Sequence, residues 1–169
     1  MSRLDKLNAL PIYKKAEEIL KMIKGLVETI PEEDDFLSRS KYMMRDDIIM
    51  ICAKIAGAEG ADEYTIRMQN AAIIRDYAMH LYVQVGSLRF HDNFKDKDFI
   101  TIIRKEIDEF RSLFINWVAG FDKSNHSWDE WELFNPPGAI PPDPNAYNDP
   151  IDFDDFFDDF NEDDLEEEE

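Results

Sequence analysis

The sequence predicts an all-α protein: an antiparallel up-down four-helix bundle followed by an acidic C-terminal tail. Apolar residues recur at alternating spacings of four and three in the first 123 residues, the period of a helix that buries one face. The same stretch shows no convincing alternation of period two, which would indicate strands. Short polar connections separate the periodic segments, as expected between neighbouring antiparallel helices.

The first two predicted helices share this apolar periodicity. The first begins at Pro11, a residue favoured at the first helical position, and ends at Ile30 before Pro31. Its predicted buried stripe is Ile12, Ala16, Ile19, Ile23, Leu26 and Ile30. The second is expected from about Leu37 or Ser38 to Ala58, with Gly57 and Gly60 marking its end. Its predicted buried positions are Tyr42, Met44, Ile48, Ile51, Cys52 and Ile55.

The third and fourth predicted helices are joined by a polar stretch from His91 to Lys97. The third spans Ala61 to about Phe90, and Gly86 within it would let a neighbouring backbone come close. Its candidate buried set is Met68, Ala71, Ala72, Ile74, Ala78, Leu81, Tyr82, Val85 and Leu88. Asp96 or Asp98 can cap the fourth helix, which ends near Phe121. Its predicted stripe is Ile103, Ile107, Phe110, Phe114, Trp117 and Phe121.

Composition divides the chain into three parts: the bundle (1–123), an aromatic strap with a proline-rich linker (124–150), and an acidic aromatic tail (151–169). Six of the eight prolines lie between positions 136 and 150, so Asn135–Pro150 is expected to be extended. The strap carries Trp128, Trp131 and Phe134, which cover either the bundle or a neighbouring subunit. The sequence leaves these two alternatives open.

Charge is distributed unevenly along the chain. The net charge is −19, yet residues 1–123 hold all 19 Lys and Arg and 21 of the 38 Asp and Glu, a balance of −2. The other 17 acidic residues lie in 124–169, which contains no Lys or Arg. A strongly acidic average would argue against a nucleic-acid partner, but the bundle by itself is nearly neutral.

Several protein classes are excluded by composition. Cys52 is the single cysteine and lies in an apolar run, which predicts a buried thiol and no internal disulfide. The N-terminal residues lack the apolar stretch of a signal peptide, and no window is long and apolar enough for a membrane span. We therefore expect a cytoplasmic protein that does not act in a membrane.

The patterns of catalytic and metal sites are missing from the sequence. It has no glycine-rich phosphate loop, no nucleophile elbow, and no Cys or His pairs at metal-ligand spacing. His80, His91 and His126 are scattered, and we interpret them as structural or solvated residues rather than catalytic ones. The sequence therefore predicts a non-enzymatic protein without a cofactor or a bound metal.

The acidic tail combines aromatic residues with carboxylates. Its four phenylalanines stand at positions i, i+3, i+4 and i+7, and carboxylates lie between them: Phe153, Phe156, Phe157, Phe160, Asp154, Asp155, Asp158 and Asp159. The alternative to a docking motif is a tail that only keeps the protein in solution, but such a tail would not need aromatic residues. We therefore predict docking, to a basic protein partner or to a basic groove of the chain itself.

Three stretches carry a resemblance to a known family: Leu10–Leu20 with Glu28–Pro31 closing that helix, Asn70–Tyr82, and Phe114–Lys123. In segment order and helix length over residues 8–123, the chain resembles the four-helix-bundle ribosomal-RNA intervening-sequence proteins and their relatives, the accessory variability determinants of diversity-generating retroelements. The resemblance implies a subunit of a barrel-like homopentamer without an active site. In the retroelement relatives a basic surface engages a reverse transcriptase and its template RNA.

The function that this resemblance implies is a homo-oligomeric adaptor that scaffolds a reverse transcriptase and its RNA or another nucleic acid. The candidate nucleic-acid-binding residues are Lys14, Lys15, Lys21, Lys24, Arg67, Arg75, Arg104, Lys105 and Arg111. Repetition around an oligomer would join these cations into one field, and the tail would compete for it as a phosphate mimic. The alternative is a protein-interaction module whose acidic aromatic tail binds a basic protein, without nucleic-acid binding.

Overall fold

A computed structural model describes residues 2–144, and within that range the protein is all-helical, with five α-helices and no strand. Residues up to Pro137 form one compact unit, and a second unit begins at Gly138. The described part of the second unit, residues 138–144, contains neither helix nor strand. The prediction of an all-α class is thus confirmed for the described residues.

A short N-terminal helix, α1 (Arg3–Ala9), was not predicted from the apolar pattern, because it has no buried residue. Its start is fixed by a reciprocal cap: the Asp5 amide donates to the Ser2 hydroxyl, and the Ser2 amide donates to the Asp5 carboxylate. Accepting these hydrogen bonds lowers the pKa of Asp5. The Ser-Arg-Leu-Asp sequence is the signal that could have identified this helix.

The next helix, α2 (Pro11–Glu28), confirms the first predicted helix and begins at the predicted residue. All six positions of its predicted stripe, including Ile30 just beyond its end, are buried. Thr29 closes the helix, because its hydroxyl and its amide both donate to the Leu26 carbonyl.

Helix α3 (Asp35–Gly60) starts slightly before the predicted position, because the Asp34 carboxylate accepts hydrogen bonds from the Phe36 and Leu37 amides. The prediction that Tyr42 is buried is wrong, since 56% of its surface is exposed. Tyr42 lies two residues from the buried Met44, and two residues turn a helix by about 200°, toward the opposite face. Ser40 and Asp47 occupy buried positions on the core side instead.

The last two helices are α4 (Tyr64–Ser87), extended by one 3₁₀ turn at Leu88–Phe90, and α5 (Lys97–Ala119). Asp96 stands at the N-cap of α5, but its side chain makes no capping hydrogen bond. The residues predicted to be buried in these helices are buried or half-buried. Phe94, in the connection between them, is 1% exposed and completes the core at this end.

The long helices pack in a closed cycle of neighbours. Helix α3 contacts α2 and α4, α5 contacts the same two helices, and α1 lies against α2. Isoleucine supplies much of the core, with Ile19, Ile23, Ile48, Ile74 and Ile103 at 1% exposure or less. None of the helices in residues 2–144 is long and apolar enough to cross a bilayer.

The strap that follows α5 is held to the start of α4. The Tyr64 amide donates to the Asn125 carbonyl at 2.7 Å, and the Thr65 hydroxyl donates to the Ser127 carbonyl at 2.7 Å. Trp128 and Phe134 are half-buried, whereas Trp131 is 91% exposed. Of the three aromatic residues predicted to cover a surface, Trp131 therefore projects into solvent.

Candidate interaction groove

An apolar groove runs between α4 and α5, with a volume of about 120 Å³. Its floor and walls are formed by Ala78, Met79, Tyr82, Ile107, Phe110 and Phe114. Ile107 and Phe110 belong to the buried core, and Met79 is 49% exposed at the mouth. The groove is therefore an opening through which solvent reaches the edge of the hydrophobic core.

Charged side chains form the rim of this groove: Arg75 from α4, and Asp108 with Arg111 from α5. Arg75 pairs with Asp76 at 2.8 Å, and Arg111 pairs with Asp108 at 3.1 Å. Both arginine side chains are 67% exposed. Exposed pairs of this kind contribute at most about 1 kcal/mol, so both guanidinium groups can exchange partners readily.

A third arginine lies next to the groove and is held in place by packing. The guanidinium of Arg104 lies 3.9 Å from the centre of the Tyr82 ring. A Cβ atom at Gly86 would come within 2.9 Å of the Arg104 guanidinium, which is closer than real Cβ contacts allow. The sequence predicted that Gly86 admits a neighbouring backbone; that prediction is wrong, because a side chain comes close instead.

Exposed apolar side chains also occur on α4, on the 3₁₀ turn after it and on α5. Met79 and Val83 are four residues apart on α4, which places them on one face, and Val83 is 60% exposed; Phe90, in the 3₁₀ turn, is 81% exposed. On α5, Ile115 is 60% exposed and lies four residues beyond Arg111. Met79 lines the groove and Val83 follows it one turn along α4, and exposed apolar side chains grouped in this way are typical of an interaction surface.

Lys15, one of the predicted nucleic-acid contacts, is half-buried and held by carboxylates of the chain itself. Its ammonium group lies 2.7 Å from Glu106, 3.0 Å from Glu109 and 3.0 Å from Glu18, and its side chain is 16% exposed. The hydrogen bond to Glu106 is the main cause that raises the pKa of Lys15, and the hydrogen bond from Lys15 lowers the pKa of Glu109. This network joins α2 to α5.

Replacing Lys15 with Met keeps the apolar stem and removes the charge. We expect the free energy of unfolding to fall by about 1 kcal/mol at pH 7, since three clustered carboxylates then lack their shared cation. The stability that comes from the raised Lys15 pKa is lost above about pH 10, where the lysine begins to lose its proton. The stability that comes from the lowered Glu109 pKa is lost below about pH 4, where the carboxylate gains a proton. The difference in free energy of unfolding between wild type and Lys15→Met should therefore narrow above about pH 10 and below about pH 4. Urea unfolding at several pH values measures it.

The matched control for this prediction is Lys14→Met, which changes an exposed lysine one position away. It should alter the free energy of unfolding by less than about 0.5 kcal/mol. Equal losses in the two variants would show that the carboxylate network adds no stability.

Arg67, a second predicted nucleic-acid contact, lies in an aromatic cluster. Its guanidinium is 2.5 Å from the Glu59 carboxylate and 4.2 Å from the centre of the Phe121 ring. The Trp117 indole donates to the same Glu59 oxygen at 2.8 Å and meets Phe121 edge-on, with ring centres 4.8 Å apart. Arg67 therefore ties α3, α4 and the end of α5 together.

The remaining predicted cations divide into two groups. Lys14, Lys21 and Lys24 are exposed along α2, where Glu17, Glu18 and Glu28 lie among them, and Lys105 is exposed on α5. Arg75 and Arg111 line the groove between α4 and α5, and Arg104 packs on Tyr82 of its wall. The predicted docking residues Phe153, Phe156, Phe157, Phe160, Asp154, Asp155, Asp158 and Asp159 lie outside the described residues.

His80 is half-buried and bound to a buried carboxylate that sequence reasoning missed. Its Nδ1 lies 2.7 Å from the Asp47 carboxylate, and its Nε2 lies 3.3 Å from the Gln84 side-chain amide. Burial is the main cause that raises the pKa of Asp47, which is 3% exposed, while the bond to His80 opposes that rise. The pair joins α3 to α4.

His91 stacks on Phe36, with ring centres 3.9 Å apart.

Cys52 is half-buried against the core, so it is less enclosed than the sequence predicted. Burial raises the pKa of its thiol to about 11. Cys52 is therefore protonated at neutral pH, and a protonated thiol is a poor nucleophile. Within residues 2–144 no three or more His, Cys, Asp or Glu side chains are grouped so that they could hold a metal ion.

Sequence reasoning identified some of the groove residues but gave them another role. Ala78 and Tyr82 were predicted to be buried, and they are half-exposed walls of the groove. Met79 and Asp108, which also line the groove, were not singled out. Comparison of the chain with protein-family models, with curated proteins and with solved structures gave no match.

Proposed function

We propose that this protein is a non-catalytic interaction module that binds its partner in the groove between α4 and α5. One observation carries the proposal: an apolar groove opens onto the core and is bordered by Arg75, Arg104 and Arg111. Hydrophobic grooves with a few well-placed polar groups bind peptides and small ligands. Arginine is also among the residues that contribute most at protein interfaces.

The charge of the groove defines the chemical class of the partner. Three guanidinium groups border the groove, and Asp108 is the acidic residue that lines it. An apolar ligand with negative charge at its edges fits this surface, because the apolar part displaces water from Met79 and Phe114 while the anions meet the arginines. The proposed partner is therefore an acidic segment that carries aromatic or aliphatic side chains.

An aromatic anion tests the groove without any assumption about the natural partner. We expect 8-anilinonaphthalene-1-sulfonate to bind in the groove of the folded full chain. The fluorescence of the dye should then rise about fivefold or more. Met79→Glu combined with Arg111→Glu should abolish most of that rise. The matched control is Ile49→Glu with Arg45→Glu, the same exchange on exposed positions of α3. Equal fluorescence from both double variants would reject the groove as a binding site.

We also propose that helices α2 to α5 follow an up-down order. Two contacts between α3 and α4 support it: Glu59 near the end of α3 meets Arg67 near the start of α4, and Asp47 meets His80 further along both helices. Pairs whose residue numbers move in opposite directions are expected of antiparallel neighbours. A four-helix bundle of α2 to α5 with α1 added beside it accounts for these contacts.

A nucleic-acid adaptor of the retroelement type, assembled as a homopentamer, is the second candidate. Its support is the exposed lysines Lys14, Lys21 and Lys24 on α2, which repetition in an oligomer would multiply. Light scattering combined with anisotropy of a fluorescent structured RNA tests it. A pentamer whose RNA affinity falls at least about tenfold with Lys21→Ala and Lys24→Ala supports the adaptor, and absence of RNA binding rejects it.

A further inference from the structure

We propose that the loop of residues 129–135 is a second interaction surface, which inserts Trp131 into an apolar pocket of a partner protein that is basic around that pocket. The loop follows the strap and belongs to the same compact unit as the helices. Neither Trp131 nor Leu133 lines the groove between α4 and α5, so this surface is separate from that groove and from the function proposed for it.

The carboxylate of Asp129 holds the loop in one conformation. It accepts hydrogen bonds from three amides that follow it, those of Trp131 at 3.1 Å, Leu133 at 3.0 Å and Phe134 at 2.9 Å. Accepting them, the one from Phe134 above all, lowers the pKa of Asp129. A reciprocal pair closes the loop, because the Asp129 amide donates to the Asn135 side-chain oxygen at 2.7 Å and the Asn135 side-chain amide donates to the Asp129 carbonyl at 3.0 Å.

The loop is also attached to the bundle through the residues before it. The Ser127 amide donates to the Glu63 carboxylate at 2.9 Å, and the Asn125 side-chain amide donates to the Asp62 carbonyl at 2.9 Å. On the other side of the loop, Pro136 is buried. Both ends therefore belong to the packed part of the protein, and the loop is not a free extension of the chain.

This ordered loop presents two large apolar side chains to solvent, since Trp131 is 91% and Leu133 71% exposed. Between them, Glu132 has a φ of 54°, in the left-handed region that residues other than glycine rarely adopt. Such backbone persists where the surrounding structure imposes it, and it is concentrated at functional sites. Tryptophan contributes strongly to binding at protein interfaces. Because the loop is ordered before binding, contact through Trp131 costs little backbone entropy.

Charge defines the chemical class of the partner. Glu130 and Glu132 lie on either side of Trp131 and are exposed, and residues 124–144 contain no Lys or Arg. Cations around the partner's pocket would complement these carboxylates. The same carboxylates would repel the phosphates of nucleic acids and of anionic lipids, so the charge of the loop favours a basic protein.

A random library of cyclic peptides, displayed as fusions to their own mRNA, supplies the probe, and the full-length chain is the target. We expect the tightest binders to combine net positive charge with apolar side chains. Their affinity, measured by fluorescence anisotropy, should fall at least about tenfold for Trp131→Ser. The matched control is Phe90→Ser, which removes an aromatic residue that is 81% exposed outside the loop. It should change the affinity less than about twofold.

Asp129→Ala separates an ordered loop from a tryptophan that is merely exposed. This variant keeps Trp131 but removes the acceptor of three amides, so the selected peptides should bind it at least about fivefold more weakly. Asp92→Ala removes the same charge from an exposed position outside the loop and should change the affinity less than about twofold. Circular dichroism checks that each variant is folded.

The inference is overturned if the selection yields no binder, if the tightest binders are neutral or acidic, if Trp131→Ser leaves their affinity unchanged, or if Asp129→Ala and Asp92→Ala weaken binding equally. A blue shift of tryptophan emission with phosphatidylcholine vesicles that Trp131→Ser removes would assign the loop to a lipid surface, and it would also overturn a protein partner. The naphthalene sulfonate experiment tests the groove, so the result at either surface leaves the other proposal standing.

Discussion

Replacing His80 with Ala is expected to lower the free energy of unfolding by about 2 kcal/mol at pH 7, since it takes the imidazole partner away from a buried carboxylate. Asp47 is 3% exposed, so water cannot readily take the place of the imidazole. Urea unfolding of both proteins measures the difference. His126→Ala is the control, because the described contact of His126 is to the Lys123 carbonyl outside the helices.

The loss of stability in His80→Ala should depend on pH, because Asp47 can ionise. Burial already raises the pKa of Asp47 in the folded protein, and loss of His80 removes the contact that opposes the rise. A carboxyl group whose pKa is raised by folding reduces stability once it ionises, so stability falls as pH rises through that range. The deficit of His80→Ala should therefore narrow as pH falls from 7 toward 4.5. A deficit that is constant over this range would contradict the account of Asp47.

Replacing Glu59 with Leu is expected to have the largest effect on stability, a loss of about 3 kcal/mol. Glu59 accepts hydrogen bonds from Arg67 and from the Trp117 indole, and its side chain is 26% exposed. The Arg67 Nε atom is already buried without a hydrogen-bond partner, so loss of Glu59 leaves most of a guanidinium uncompensated. Urea unfolding at pH 7 measures this loss.

A conservative variant separates the hydrogen bonds of Glu59 from its volume. Glu59→Gln keeps an acceptor oxygen for Trp117 and Arg67 but removes the charge, so it should lose clearly less stability than Glu59→Leu. Equal losses from the two variants would show that the acceptor oxygen is not what stabilises the cluster around Phe121.

Helix positions were predictable because the core contacts recur at helical spacing. The stripe from Ile12 to Ile30 is buried at every predicted position, since each of its residues faces the same neighbours. The prediction that Tyr42 is buried was wrong because Tyr42 and Met44, two residues apart, point to opposite faces of α3. Helix α1 was not predicted because it buries no residue, so its sequence carries a capping motif but no apolar stripe.

The groove could not be predicted from the sequence because it depends on how α4 and α5 are rotated against each other. Tyr82 has the spacing of a core residue, yet it supports Arg104 at the surface. Gly86 leaves the space that the Arg104 guanidinium fills, and no local pattern links two residues that are 18 positions apart. Arg75 and Arg111, predicted from the sequence as nucleic-acid contacts, line this groove, and Arg104, predicted likewise, packs on Tyr82 of its wall.

Ion pairs also change how the predicted nucleic-acid contacts are interpreted. Lys15 and Arg67 each bind carboxylates and bury much of their side chains, so phosphate would have to displace those partners. The exposed lysines of α2 lie among glutamates. For these reasons we rank the groove above the lysines of α2 as the surface that binds a partner.

Methyl NMR of the chain labelled at methionine tests the central claim most directly, because Met79 lies at the mouth of the groove and Met22, Met43 and Met50 lie outside the residues that line it. The chain is titrated with 8-anilinonaphthalene-1-sulfonate, and Met79→Leu assigns the resonance. We expect the Met79 methyl resonance to shift while those of Met22, Met43 and Met50 do not. An unchanged Met79 resonance at saturating naphthalene sulfonate would contradict the proposal that the groove is a binding site.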